Sequence, residues 1–247
     1  MVFAVIEGDG VTEPEVVRPM RGHPFGDLDL VDGTVPLAGL RMLPPVLPSK
    51  IVGIGKNYAG HAAEMGSDVP ESPLMFLKPN TAVIGPGGVI RLPEQSQQVD
   101  FEAELAVVIG SLCRNVAAAD ADEVILGYTC ANDVTARDLQ RADGQWTRAK
   151  GFDTFCPLGP WIQTDPLPDA AAVTCEVNGD VRQQAPLSDL VHGVPELVEY
   201  VSSVMTLLPG DVILTGTPAG IGPLADGDHV KVTIDGIGSL SNEVSLD

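Results

Sequence analysis

The stretch Val99-Asp100-Phe101-Glu102-Ala103-Glu104-Leu105-Ala106-Val107-Val108-Ile109-Gly110 restricts the fold more than any other part of the chain. β-Branched and apolar residues fill its second half and Gly110 closes it, which predicts a strand. The run Leu105 to Ile109 is apolar on both faces, so the strand enters the core. Side chains two apart on a strand share a face, so Glu102 and Glu104 project together, with Asp100 one step before them. Paired carboxylates at the mouth of a core strand repel each other unless a cation or a proton sits between them. A strand end whose acids face water fits the same spacing.

A third acid strengthens the cation reading. Val124 to Asp133 reads as another buried strand, and it ends in a carboxylate. Three carboxylates make a hard oxygen site with room for water or substrate on the ion. Such a set suits Mg²⁺, Mn²⁺ or Ca²⁺ better than zinc, which prefers nitrogen and sulfur.

A chain of 247 residues can bury a full core, as one large domain or as a main domain with an appendage. No apolar run reaches the length of a membrane span. Met1 to Ile6 is too short for a secretion signal and runs straight into Glu7, so a cytoplasmic location is expected. The formal charge of -20 argues against nucleic acid or an anionic membrane as a partner. It also means that an anionic substrate needs local cations, which gives weight to each Lys or Arg near the acids. Cys113, Cys130, Cys156 and Cys175 show no C-x-x-C pair and no metal-finger spacing, and read as buried free thiols.

From Met1 to about Pro48 the sequence predicts a small β-rich N-terminal module (residues 1–48). Val2 to Glu7 alternates weakly, Gly8-Asp9-Gly10 signals a turn, and Val31 to Val35 reads as a second hairpin. The proline-rich run Leu43 to Pro48 is a stiff connector to the main domain, residues 49–247. His23, beside Pro24 in a polar loop, reads as a surface residue.

Lys50 to Gly55 opens the main domain as a strand. Its Gly53-x-Gly55 lacks the third glycine of a dinucleotide loop, Tyr58 standing there instead. Gly220-Ile221-Gly222-Pro223-Leu224-Ala225 fits G-x-G-x-x-A, but Pro223 and the short remaining chain leave no room for a βαβ unit. Both are read as glycine turns.

Asn57 to Gly66 holds a short helical turn with His61 and Glu64 on one face. That pair fits an exposed surface contact. With glycines on both sides and the polar run Ser67 to Ser72 behind it, the segment also fits a lid. Leu74 to Asn80 reads as a strand leading into a loop, Ala117 to Glu123 as a helix start, and Trp146 to Lys150 as a loop. Thr135 to Ala142 reads as helical, with Arg137 and Gln140 three apart. Val173 to Arg182 is a hairpin around Asn178-Gly179, and Val194 to Leu207 a helix. Val212 to Thr215, Val230 to Ile234 and Gly238 to Asn242 complete the strands. The expected fold is mostly β with a few helices (α+β), as a twisted antiparallel sheet or a flattened barrel.

Four blocks then occur in order: Asp100-Phe101-Glu102-Ala103-Glu104-Leu105, Asn132 to Asp138, Lys150-Gly151-Phe152-Asp153, and Leu214 to Gly222. Together they resemble the fumarylacetoacetate hydrolase superfamily over about Ile51 to Val244. The resemblance implies a β-sandwich or flattened β-roll catalytic domain, a small β-rich leader as in some members, and a homodimer. It implies Mg²⁺ or Mn²⁺, with Ca²⁺ as a substitute, on Glu102, Glu104 and Asp133. Asp133, Arg137, Gln140, Lys150 and Thr217 become pocket residues by the same resemblance, although by type alone Arg137 and Lys150 read as surface charges. His61-x-x-Glu64 after Gly-x-Gly-Lys-Asn-Tyr is similar to the branch holding acylpyruvate hydrolases and oxaloacetate decarboxylases. Homoprotocatechuate-pathway isomerases and decarboxylases are its near relatives.

A divalent ion with open positions chelates a 2-oxo acid and holds the enolate formed at the next carbon. Lys150 would neutralise the substrate carboxylate or the enolate, Arg137 would grip a carboxylate, and Gln140 would donate from the next turn. Thr217 and neighbouring N–H groups would bind further oxygens. His61 would activate water, oriented by Glu64. The expected function is hydrolysis of acylpyruvates such as fumarylpyruvate or acetylpyruvate, with oxaloacetate decarboxylation second. The nearest rival is a 2-hydroxyhepta-2,4-diene-1,7-dioate isomerase or 5-oxopent-3-ene-1,2,5-tricarboxylate decarboxylase of aromatic catabolism. A rival from another class is a non-catalytic scaffold whose ion only stabilises the fold.

Overall fold

A computed structural model describes residues 3–6 and 16–247. The turn expected at Gly8-Asp9-Gly10 lies outside the described residues, while Phe3–Val5 within the first alternating run is a strand. Phe3–Val5, Leu28–Leu30 and Val35–Pro36 each pair antiparallel with Val16–Gly22. The expected hairpin over Val31 to Val35 is therefore corrected. Its two arms bind the same longer strand rather than each other. His23 is exposed, as expected.

The main body holds two larger sheets. Seven strands lie in the order Leu74–Lys78, Ile51–Gly55, Val212–Leu214, Ala103–Ile109, Ile125–Asn132, Cys156–Gln163 and Val83–Ile84. Five lie in the order Asp180–Pro186, Ala172–Val177, His229–Ile234, Gly238–Leu246 and Val89–Leu92. A small sheet joins Thr135–Ala136, Val99–Phe101 and Gly222–Pro223. The sheets are mixed rather than antiparallel throughout, since Ile51–Gly55 runs parallel to Val212–Leu214 and Val89–Leu92 parallel to Gly238–Leu246. These partners are far apart in sequence, so no hairpin dictates their direction.

Burial follows from the sequence pattern. Leu105, Ala106, Val107, Val108 and Ile109 are all buried. One core cluster joins Phe101, Leu105 and Cys130 to Val173, Cys175, Val232 and Leu240, and so glues the two larger sheets together. A second packs Val52, Ile54, Val107 and Ile213 against Leu197, Val198 and Val201 of the helix Val194–Val204.

Two local expectations change, and one strand is unforeseen in the sequence. Trp146 to Lys150 is not all loop, because Thr147–Lys150 forms a helical turn. Thr135 is not helical: Thr135–Ala136 pairs with Val99–Phe101 before the helix Arg137–Asp143 begins. Cys156–Gln163 is an inner strand despite Pro157, Gly159 and Pro160, residues that argue against one. Its register with Ile125–Asn132 shifts between Tyr128 and Cys130, and this irregularity accommodates them. All four cysteines are free and buried. Among the described residues no helix is long and apolar enough to cross a membrane.

Candidate active site

The acidic stretch is broken, and the break builds the site. Val99–Phe101 belongs to the small sheet and Ala103–Ile109 to the seven-stranded one, with Glu102 at the corner. Glu102 leaves the ladder because its N–H donates to Asn132 Oδ1 at 2.9 Å, while its carbonyl accepts from the Asp133 N–H at 2.8 Å. Ala103 pairs with Asn132, so the end of the neighbouring strand delivers Asp133 beside Glu102. Glu102, Glu104 and Asp133 are buried and offer carboxylate oxygens within 4.8 Å of one another. The three acids singled out by the sequence therefore meet at one point.

Buried cations surround them. Lys150 Nζ lies 2.7 Å from Glu102 Oε2 and 2.6 Å from Asp133 Oδ2. Arg137 donates from Nε to Asp100 Oδ2 at 2.8 Å, from Nη2 to Glu102 Oε1, and from Nη1 to Gln140 Oε1 at 2.6 Å. Lys78 Nζ lies 2.6 Å from Asp133 Oδ1, although this ion pair is not aligned as a hydrogen bond and that oxygen accepts none. The same ammonium donates to the Val134 carbonyl at 3.3 Å.

The charges do not balance. Among the described residues Asp100, Glu102, Glu104 and Asp133 are buried, with Lys78, Arg137 and Lys150 as the buried lysines and arginine against them. Burial pushes Glu102 upward, but Lys150, Arg137 and His61 outweigh it and hold this carboxyl below the usual range. Burial raises Glu104 well above that range, and Asp133 and Glu102 push it further. A hydrogen bond from Gly216 N–H to Glu104 Oε2 at 2.6 Å offsets this only in part. Burial works against the charge on Lys150, yet Asp133 and Glu102 leave its pKa raised. Glu104 is thus the acid short of a cation, next to an Asp133 oxygen that accepts no hydrogen bond. An all-oxygen donor set with surplus negative charge fits Mg²⁺ or Mn²⁺.

The triad opens into a small pocket walled also by His61, Arg137, Gln140, Lys150 and Thr217. Of the residues expected in the site, only Glu64 stands outside that wall. Its Oε2 lies 3.3 Å from His61 Nδ1, and both its oxygens lie 3.2 Å from the Gly220 N–H. The pair sits on the short helix Ala59–Glu64, with His61 buried. Thr217 already spends its proton on structure, since Oγ1 donates to the Ala103 carbonyl at 2.9 Å.

Sequence reasoning passed over Lys56, Lys78, Phe76, Trp146 and Gln183. Phe76 lies under the Lys150 ammonium, 4.8 Å from Nζ to the ring centroid, and meets Trp146 edge-on at 5.3 Å. A Cβ on Gly53 would fall 2.2 Å from Phe76, and one on Gly55 2.7 Å from Trp146. The Gly-x-Gly that does not serve a nucleotide thus makes room for this aromatic wall, a signal available only once its neighbours are known.

Residues 50–245 match the family described as fumarylacetoacetate (FAA) hydrolase C-terminal. The chain belongs to this family. Within the fumarylacetoacetate hydrolase family it is 54% identical to 5-carboxymethyl-2-hydroxymuconate delta-isomerase from Mycobacterium smegmatis. That structure matches with a TM-score of 0.91, over 100% of this chain and 95% of the other. Oxaloacetate tautomerase YisK from Bacillus subtilis is 44% identical over 211 residues, 80% of this chain and 70% of that protein. Maleylpyruvate hydrolase from Sphingobium sp. SYK-6, in complex with manganese (II) ion and pyruvate, matches at 38% identity and a TM-score of 0.76. It covers 88% of this chain and 77% of that one. The mostly β fold expected from the sequence is the fold of this family, whose members named here are enzymes.

Proposed function

We propose that this chain is a Mg²⁺- or Mn²⁺-dependent enzyme that processes small 2-oxo acids through an enolate. The observation that carries the reading is the buried Glu102, Glu104 and Asp133 cluster, one cation short, at the floor of a cavity walled by Arg137, Lys150 and His61. When bound, the ion supplies Lewis acidity that draws electrons from the 2-oxo carbonyl. Arg137 and Gln140 bind a substrate carboxylate from one turn of helix. Lys150 keeps its proton and places positive charge where the enolate oxygen develops. His61 moves the proton at the next carbon, and Glu64 fixes which imidazole nitrogen faces the cavity. Phe76 and Trp146 form an apolar wall that keeps water from the carbanion.

Proton transfer, as tautomerisation or isomerisation, is the first reading because the relatives of higher identity named above carry those activities in their names. Acylpyruvate hydrolysis, which the sequence put first, is the second. The His61–Glu64 pair beside the acids and the maleylpyruvate hydrolase with manganese and pyruvate support it. Oxaloacetate decarboxylation runs through the same enolate. The reading also takes residues 1–48 as a module apart from the catalytic domain 49–247, in a cytoplasmic homodimer. The module and the compartment are supported by an N-terminal sheet whose described strands pair only with one another and by thiols left unpaired, while the homodimer rests on the family resemblance alone.

The test is a panel of oxaloacetate, acetylpyruvate, fumarylpyruvate and 2-hydroxyhepta-2,4-diene-1,7-dioate, each with Mg²⁺, Mn²⁺ or EDTA. Turnover with metal and none with EDTA is expected on at least one of them. Turnover that EDTA does not touch overturns the metal dependence, and no turnover under any condition overturns the reading and leaves the scaffold.

A further inference from the structure

The turn Gly216 to Gly220 is bonded to both halves of the site, and one side chain from another sheet holds it in place. Gly216 N–H donates to Glu104 Oε2 at 2.6 Å, Thr217 Oγ1 donates to the Ala103 carbonyl at 2.9 Å, and Gly220 N–H reaches both Glu64 oxygens at 3.2 Å. Gln183 lies on Asp180–Pro186, the edge strand of the five-stranded sheet, between exposed Arg182 and Gln184, yet is itself only 1% exposed.

Its amide is fully engaged. Oε1 accepts from the Ala103 N–H at 3.0 Å, and Nε2 donates to Thr217 Oγ1 at 2.8 Å and to the Pro218 carbonyl at 2.7 Å. The opposite amide orientation would set a donor against the Ala103 N–H, so the network fixes which end faces which partner. Contact between turn and strand is also close along the backbone, where a Cβ on Gly220 would fall 2.1 Å from the Arg182 carbonyl oxygen. Ala103 is the residue that separates Glu102 from Glu104. One buried amide therefore grips both the spacer between the two acids and the turn that carries bonds to Glu104 and Glu64.

We propose that Gln183 is a positioning residue that sets the bite of Glu102 and Glu104 and aligns it with the His61–Glu64 pair. The inference rests on the metal-dependent reading above. Outer hydrogen-bond partners of metal ligands change affinity or activity by roughly 10–100-fold when removed.

The test compares wild type, Gln183→Met and Gln183→Glu by Mn²⁺ titration and by steady-state kinetics on oxaloacetate. Measurements are made well below each protein's melting temperature, so that lost stability alone leaves the Mn²⁺ Kd unmoved. Gln183→Met keeps the length and removes all three hydrogen bonds, so its Mn²⁺ Kd is expected to rise roughly 10-fold or more, with kcat falling further than KM moves. Gln183→Glu keeps the acceptor for the Ala103 N–H but sets an acceptor against the Pro218 carbonyl, so its Mn²⁺ Kd is also expected to rise above that of wild type. It carries the test if Gln183→Met does not fold. Folded variants with the Kd and kcat of wild type overturn the inference and leave the proposed function standing. A wild type that binds no Mn²⁺ overturns both.

Discussion

Lys78 and Asp133 form an ion pair sealed from solvent, with Nζ 2.6 Å from Oδ1 and side chains 0% and 1% exposed. Removing one partner of such a pair strands the other's charge and costs about 3–5 kcal/mol. Because Lys150 also touches Asp133, Lys78→Met is expected to destabilise the metal-free protein by about 3 kcal/mol, the low end of that range. Urea denaturation in EDTA measures it, and a loss below about 1 kcal/mol would mean the pair contributes little.

Glu104 gives the metal-free protein an unusual pH dependence. Its folded pKa is raised, so its contribution to stability is complete below the ordinary carboxylate range. As pH climbs, the unfolded chain ionises first, and stability falls until the raised folded pKa is passed. Glu102, held low, acts in the opposite sense and only in acid, where stability is lost as pH falls through its folded pKa. Denaturation with EDTA at pH values above about 4.3 should show the decline, and Mg²⁺ should flatten it by replacing the proton on Glu104. A flat profile without metal contradicts the assignment.

Loss of a ligand and loss of a base should look different. Glu102→Ala and Asp133→Ala are expected to lose metal binding and turnover together. His61→Ala should retain Mn²⁺ binding while kcat drops by about 10²–10⁴. Full activity in His61→Ala removes it from the proton-transfer role.

Gly220 has a φ of +102° and its Cβ would overlap the Arg182 carbonyl oxygen at 2.1 Å. Strain and overlap together should cost Gly220→Ala about 2–4 kcal/mol, readable as a lowered denaturation midpoint. Gly227 makes the control. It too has positive φ, +86°, but meets nothing within 4 Å, so its alanine variant should lose only the conformational part.

The thiols should be inert while the chain is folded. Burial pushes Cys130, Cys156 and Cys175 up to about 12. Iodoacetamide near pH 8 is expected to label them only after denaturant is added, as mass spectrometry would show. Rapid labelling of the native protein would contradict this.

Much of the site was legible because its chemistry is written locally. Glu102, Glu104 and Asp133 stand on apolar strand patterns that can only enter a core, so their meeting follows from strand ends lying side by side. Arg137 and Gln140 share a helix face at three-residue spacing, and the structure joins them directly. Lys78 and Gln183 were not legible, since each acts on partners 55 and 80 residues away. Nothing in Phe76-Leu77-Lys78 tells a buried lysine from an exposed one, and Gln183 sits in an otherwise solvent-facing run. The strand Cys156–Gln163 was hidden by its prolines, which local preference counts against a strand and an irregular register admits.

The corner at Glu102 has a consequence for how this protein changes over generations. One acid of the pair sits on the bend between the small sheet and the large one and the other on the large sheet itself, so any repacking along the seam between the sheets alters the distance separating their oxygens. Preference for one ion or substrate over another is therefore open to adjustment by core substitutions far from the cavity, with every liganding side chain left untouched.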